Sequence, residues 1–196
     1  MKEIYFNNRE GETVLSPNEK NGLLLKHVSQ ISELNELEQM NINKGLMWLE
    51  SYKGEILNER FLRKLHKKLF GEVWKWAGKY RHSEKNIGIE AWRVPSETKK
   101  LCDDCQYWVD HGSYPWPELI ARFHHRLVYI HPFPNGNGRF ARLLTNFLCF
   151  RHNKKAPSWK SHLKAELRRD VYIEALREAD LKKFDKLIAY FENDNE

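Results

Sequence analysis

The chain has 196 residues, 41% hydrophobic and 13% aromatic, with seven Trp, ten Phe and a formal net charge of +6. That is core material for one packed domain and excludes a disordered chain. No apolar run is long enough to cross a membrane. The positive balance suits a polyanionic ligand, nucleotide or nucleic acid. Most of the cations (Lys64, Lys67, Lys68, Lys99, Lys100, Arg168, Arg169) nevertheless read as solvated helix surface.

The opening, Met1 to Ser16, reads as irregular, with Asn7, Asn8 and Gly11 as turn formers. From about Leu34 to Tyr52 the apolar spacing predicts a helix, closed by Gly54. Asn58 is a natural N-cap for the next helix, which runs to Gly71 with Phe61, Leu62, Leu65 and Leu69 on one face. An amphipathic turn, Val73 to Ala77, ends at Gly78. Residues Lys79 to Val94 alternate weakly around Asn86 and Gly88, which predicts a short β-hairpin or extended loop.

Pro95 closes that stretch, and Ser96 is placed to cap a helix to about His111. That helix carries Cys102 and Cys105, a lone C-x-x-C without the second pair that a zinc site needs. With Cys149 the cysteine count is three, and no leader segment is seen. Both features predict a reducing, cytoplasmic setting.

Pro115 and Pro117 open a strongly apolar helix. It must stop near His131, because Pro132 disfavours helical geometry in the residue before it. A second apolar helix begins near Asn137 or Gly138. Pro157 separates it from a final pair, about Ala165 to Asp180 and Leu181 to Phe191. The sum is an all-α bundle with one small hairpin, divided into an N-terminal extension (1–30) and a helical domain (31–196).

The chemistry concentrates between those two helices, in His131-Pro132-Phe133-Pro134-Asn135-Gly136-Asn137-Gly138-Arg139-Phe140-Ala141-Arg142. Two glycines at a helix start permit a tight turn, and the free amides there bind anions. Arg139 and Arg142 share a helix face and carry donor forks suited to phosphate oxygens. This is a cradle for two or more phosphates, without the P-loop pattern. His131 beside it, titrating at roughly 6.5 when unperturbed, suits proton abstraction from a hydroxyl. Each feature alone is commonplace; their coincidence within twelve residues points to transfer of a phosphorus group. His124 and His125 are adjacent and cannot both face His131, so they read as structural or surface residues.

The segment resembles the signature of the Fic (Fic/Doc) family, His-x-Phe-x-acidic-Gly-Asn-Gly-Arg-x-x-Arg. Trp76-Ala77-Gly78-Lys79-Tyr80-Arg81 and the tail Tyr172 to Phe191 look similar to that family too. The stretch Gly22 to Asn43 resembles the subgroup called mobile mystery protein B. The resemblance implies a Fic-like helical bundle with a hairpin flap, and an enzyme that moves AMP from ATP to a Ser, Thr or Tyr hydroxyl of a target protein, with Mg²⁺ bridging phosphates. It implies His131 as base, Phe133 as loop anchor, and Gly136, Asn137 and Gly138 as an anion hole. Arg139 would take the inner phosphates and Arg142 the terminal one. Ile87, Gly88, Ile89 and Trp92 fall where the family's flap holds its target by strand addition.

One position departs: Asn135 stands where the family has an acidic residue, and one neutral oxygen makes it a weak Mg²⁺ ligand. The family also has an inhibitory Ser/Thr-x-x-x-Glu helix whose Glu pairs with the second motif arginine. Two frames fit in part, Ser29 to Glu33 and Ser32 to Glu36. The plainer reading of Glu33, Glu36 and Glu38 is an acidic helix start. Two rivals stand beside this expectation. One is transfer of UMP, phosphate or another phosphate-linked group by the same site. The other is a non-catalytic, DNA-associated regulator with a repressor or antitoxin-like partner. No helix-turn-helix signature supports a nucleic-acid partner, and none is expected at a membrane.

Overall fold

The computed structural model describes residues 16–192. The expected irregular opening lies, apart from Ser16, outside them. Eight α-helices account for the regular structure of the described residues: α1 (Pro17–Lys20), α2 (Ile31–Glu50), α3 (Glu59–Phe70), α4 (Val94–His111), α5 (Trp116–Ile130), α6 (Asn137–Arg151), α7 (Ala165–Asp180) and α8 (Asp185–Phe191).

Local chemistry explains most boundaries. The Asn58 side chain accepts the Phe61 amide at 2.8 Å and starts α3. Helices α2 and α3 pack closely because Gly45 lacks a side chain: a Cβ there would stand 2.9 Å from the Lys68 carbonyl oxygen. Asn41 then bridges the pair, donating to Lys68 O at 3.0 Å and accepting the Glu72 amide at 2.9 Å. Ser51, not Gly54, is the residue on which α2 ends.

Helix α4 begins at Val94, three residues earlier than a cap at Ser96 implies. It grows directly from a 3₁₀ turn, Ala91–Arg93, and Pro95 sits in its first turn. The Ser96 hydroxyl donates back to the Arg93 carbonyl at 3.0 Å instead of capping. Gly112, at φ 57°, ends it in the left-handed region.

Helix α5 is the centre of the bundle, touching α4, α6, α7 and α8. It buries Leu119, Ile120, Phe123, Leu127 and Ile130. Helix α8 starts at Asp185 rather than Leu181, because Lys182 turns left-handed at φ 64° directly after α7.

The stretch expected as a short hairpin or extended loop is the latter: residues 82–90 carry no strand, so the hairpin of the expected flap is not paired. The isolated β-bridge found among the described residues joins Leu23 to Trp74. It belongs to a strap, residues 16–25, laid along residues 73–76. Leu24 N–H donates to Val73 O at 2.9 Å and Lys75 N–H to Gly22 O at 2.8 Å. Leu23 and Val28 thereby join the core. No helix among the described residues is long and apolar enough to cross a membrane.

Candidate active site

His131 follows the last residue of α5. With Pro132 next to it, the residue leaves the helical region for φ 54° and ψ 60°, a left-handed conformation uncommon outside glycine. Its backbone amide still reaches Leu127 O at 3.3 Å. The side chain is buried, 4% exposed. Burial, then the nearby Arg81 charge, push the imidazole down to about 4, so the ring is neutral at pH 7.

Arg81 explains why that backbone holds. Its guanidinium is 1% exposed and donates to four carbonyls. They are His131 O at 2.7 Å, Ile130 O at 3.3 Å, Ser83 O at 3.2 Å and Ile89 O. Its own amide takes Pro132 O at 3.0 Å. One cation thus ties the end of α5 to the flap segment. The carbonyls of Ser83 and Ile89, which a hairpin would spend on a ladder, go to Arg81. This is the physical reason the weak alternation does not become paired strands.

The flap lies directly on His131. Gly88 has φ 102°, and a Cβ there would come 2.6 Å from the His131 Cβ. Ile89 is buried and Ile87 half-buried, while Trp92 stands in the 3₁₀ turn with 79% exposure.

On the other side of His131 runs the motif loop. Phe133 is fully buried, its ring 3.7 Å from that of His66 and edge-on to Phe140 at 5.1 Å. The buried Asn137 side chain closes the loop from inside. It accepts the Phe133 amide at 2.9 Å and donates to the Phe133 carbonyl at 2.8 Å. His66 holds the outer turn. Its Nδ1 accepts the Gly78 amide at 3.0 Å, so Nε2 carries the proton and donates to Asn135 O at 3.0 Å. Burial pushes this imidazole down to about 3, against the pull of the Asn135 carbonyl; the Arg139 charge adds to the fall. Gly136, at φ 78°, sits on Phe70, where a Cβ would lie 2.7 Å from the ring.

Gly136 is the N-cap of α6, and no side chain caps the helix's first turn. Helix geometry leaves the amides of that turn without intrahelical acceptors, facing the space in front of the loop. The Asn135 side-chain oxygen is turned onto the Gly136 amide at 2.5 Å. Arg142 is half-buried, and its Nη1 lies 3.9 Å from where a Gly138 Cβ would be. Arg139 lies over the Phe70 ring at 4.9 Å and pairs with Glu38, Nη1 to Oε2, at 2.5 Å.

Glu38 is buried in the second turn of α2, and its other oxygen accepts Trp74 Nε1–H at 2.5 Å. Glu33 and Glu36 pair with neither motif arginine. Glu33 lies 4.0 Å from His27, and Glu36, Ser29 and Ser32 are exposed. Helix phase accounts for this. Glu38 falls four residues after buried Leu34 and four before buried Ile42, on the face that meets the motif.

Behind Arg142, His124 is fully buried. Thr145 donates to Ala141 O at 2.8 Å, so His124 Nδ1–H donates to Thr145 Oγ1 at 3.0 Å, and Tyr172 O–H donates to Nε2 at 2.7 Å. His125 instead faces Asp180 at 2.8 Å. Cys102, Cys105 and Cys149 are buried and free. Burial pushes Cys102 up to about 12 and Cys149 up to about 11, which keeps the thiols protonated.

Sequence reasoning passed over three members of this site. Arg81 lay in a family-like segment without a role of its own, Glu38 was read only as helix-start charge, and His66 shows no sequence pattern that would single it out. Glu38 alone had a detectable signal, its spacing to Leu34 and Ile42.

A neutral imidazole, an uncapped helix start and two guanidinium groups thus lie close together in one helical domain. Residues 56–149 match the Fic/DOC family. The protein adenylyltransferase Fic of Nematostella vectensis is 29% identical over 127 residues, covering 61% of this chain and 30% of that protein. Its Drosophila virilis namesake is 34% identical over 91 residues, covering 44% of this chain and 19% of that protein. The chain thus spans less than a third of the length of these relatives.

Among solved structures, Fic-1 of C. elegans gives a TM-score of 0.63 at 24% identity, covering 91% of this chain and 54% of that one. The BepC effector protein of Bartonella tribocorum, solved with bound AMPPNP, gives 0.70 at 16% identity, covering 90% of this chain and 96% of that one. These likenesses are of fold.

Proposed function

We propose that the chain is a protein adenylyltransferase that moves AMP from ATP to a Ser, Thr or Tyr hydroxyl of a target protein. The observation that carries this reading is His131, held neutral at the mouth of an anion-binding helix start. The acceptor oxygen attacks the α-phosphorus, the bond to the bridging oxygen breaks, and pyrophosphate leaves. His131 takes the hydroxyl proton. The amides at Asn137 and Gly138, that of Gly136 once Asn135 Oδ1 gives it up, and the forks of Arg139 and Arg142 hold the phosphates and meet the charge that develops on them. The flap at Ile87, Gly88, Ile89 and Trp92 positions the target segment over His131.

Mg²⁺, when bound with the nucleotide, neutralises phosphate charge. Asn135 is the residue placed to help hold it, with one neutral oxygen that here serves the Gly136 amide. The fit is therefore weak, and phosphate oxygens and water would supply most ligands. Asn135 is also the observation that keeps UMP, phosphate and other phosphate-linked donors as the alternative to test.

Glu38 is read as the brake. Its carboxylate stands on Arg139, where phosphate oxygens would otherwise bind, so nucleotide must displace it. We place the reaction in the reducing cytoplasm, consistent with buried, reduced thiols.

The test is incubation with ATP labelled at the α-phosphate, with Mg²⁺, against UTP and γ-labelled ATP. The α-label should appear on protein in wild type and fall by about 10²–10⁴ in His131→Ala, the usual weight of a general base. Equal labelling in the two proteins rejects His131 as the base.

A further inference from the structure

The flap owes its shape to side chains, since residues 82–90 carry no ladder. Arg81 supplies one set of ties. A second set comes from the strap, through one residue that the chemistry described so far does not use. Glu19 lies in α1, with one side-chain oxygen accepting the Ser83 hydroxyl at 3.0 Å and the other meeting the Lys85 ammonium. Both partners are flap residues. The pair is enclosed, with the Lys85 side chain 2% exposed and that of Glu19 12% exposed.

Glu19 is itself fixed. Its carboxylate accepts the Ser16 amide at 2.7 Å in a capping box, and its carbonyl accepts Trp76 Nε1–H at 3.0 Å. Gly22 presses on the same indole, where a Cβ would meet the ring at 2.5 Å. A carboxylate so anchored can impose its position on the flap.

We propose that Glu19 is a positioning residue for the target-binding flap, acting through Ser83 and Lys85. Two residues separate Lys85 from Gly88, which packs on His131, so a shift of the latched end moves the surface over the base. This role rests on the adenylyl-transfer reading, in which the flap presents the acceptor. The strap latch therefore governs alignment of the acceptor and leaves the phosphate cradle alone.

Hydrogen exchange of the full chain without nucleotide reads the latch itself. In Glu19→Gln, amides at 82–90 should exchange at least about tenfold faster than in wild type, while those of α5 and α6 stay unchanged. Transfer of α-label from ATP, scored on the chain itself, should fall about tenfold at saturating ATP, with the ATP Kd by calorimetry within about twofold. Lys85→Met should do the same, and the double variant should be no worse than either single one.

Unchanged exchange at 82–90 in both single variants, with an intact helical spectrum, overturns the latch. Independent, additive losses overturn it as well. Faster exchange with full transfer overturns the positioning role. If wild type binds no ATP and labels nothing, the adenylyl-transfer reading fails, and the exchange comparison still decides the latch.

Discussion

The motif loop and the flap flank the same histidine and are built in opposite ways. The loop, 132–136, is clamped chiefly by residues of its own motif, Asn137 on both polar groups of Phe133 and Phe140 on its ring, with His66 of α3 bracing it from behind. The flap, 82–90, is held from outside, by Arg81 and by Glu19 of the strap. A local device keeps its geometry whatever binds. A remote one can differ among proteins that share the loop.

The sharpest way to break the comparison is to remove the loop's clamp. Asn137→Ala leaves the Phe133 amide and carbonyl buried without their partner, at about 1–3 kcal/mol for each group. Denaturant unfolding should show a loss of roughly 2–4 kcal/mol after partial relaxation. Transfer should drop by about a thousandfold, because the amides of the anion hole lose their alignment. A variant with near-normal stability and transfer would show that the loop is shaped by something other than Asn137.

The flap should respond differently. Gly88→Ala places a methyl group against His131 in a backbone region that L-residues rarely adopt. Transfer should fall about a hundredfold with ATP affinity intact, since a displacement near 1 Å costs about that much. Calorimetry with ATP beside the transfer assay separates the two. Equal loss of ATP affinity would mean that flap and cradle are one unit, against the contrast drawn above.

These two regions also differ in how legible they were. The main elements of the loop are short-range consequences of residue type. Pro132 forces His131 out of the helix, Gly136 supplies a positive φ, and an uncapped helix start supplies the amides. Hence the helices on either side, α5 and α6, were readable nearly to the residue. The flap's conformation depends on partners far along the chain. Arg81 draws on Ile130 and His131, and Glu19 is 64 residues from Ser83. Alternation alone could not choose between a hairpin and an extended loop. The glutamates of α2 fall between the two cases: the sequence frames favoured Glu33 and Glu36, whereas Glu38, on the buried face of α2, is the one that meets a motif arginine, Arg139.

A gentler change sharpens the same point from the nucleotide side. Glu38→Gly frees Arg139 for phosphate, and labelling should rise about tenfold, the change expected from about 1.4 kcal/mol of competition removed. Glu33→Gly and Glu36→Gly should leave it within about twofold, because surface ion contacts contribute little. Unfolding of Glu38→Gly should lose about 1–3 kcal/mol, since Trp74 Nε1–H also loses its acceptor. A gain in Glu33→Gly and none in Glu38→Gly would move the brake away from the Arg139 contact.

The smallest effect is expected from pH, and it tests the two regions together, because loop and flap jointly bury His131. An exposed histidine titrating at roughly 6.5 would be about nine-tenths protonated at pH 5.5, and a reaction needing the neutral ring would slow about tenfold. His131 is pushed down to about 4, so it stays neutral across that interval. The kcat/KM for transfer should therefore change by less than about twofold between pH 7 and 5.5, with the acid limb displaced toward 4.

Stability moves the other way over the same range. His66, at about 3, and His131 stay unprotonated when folded, whereas the unfolded chain binds protons below roughly 6.5. Folding free energy is thus complete above that value and declines as pH falls toward 4 and 3. Rates must be read with a helical spectrum at each pH. A tenfold fall in kcat/KM with the fold intact would mean that water reaches the imidazole, and that the flap does not close over it in the working enzyme.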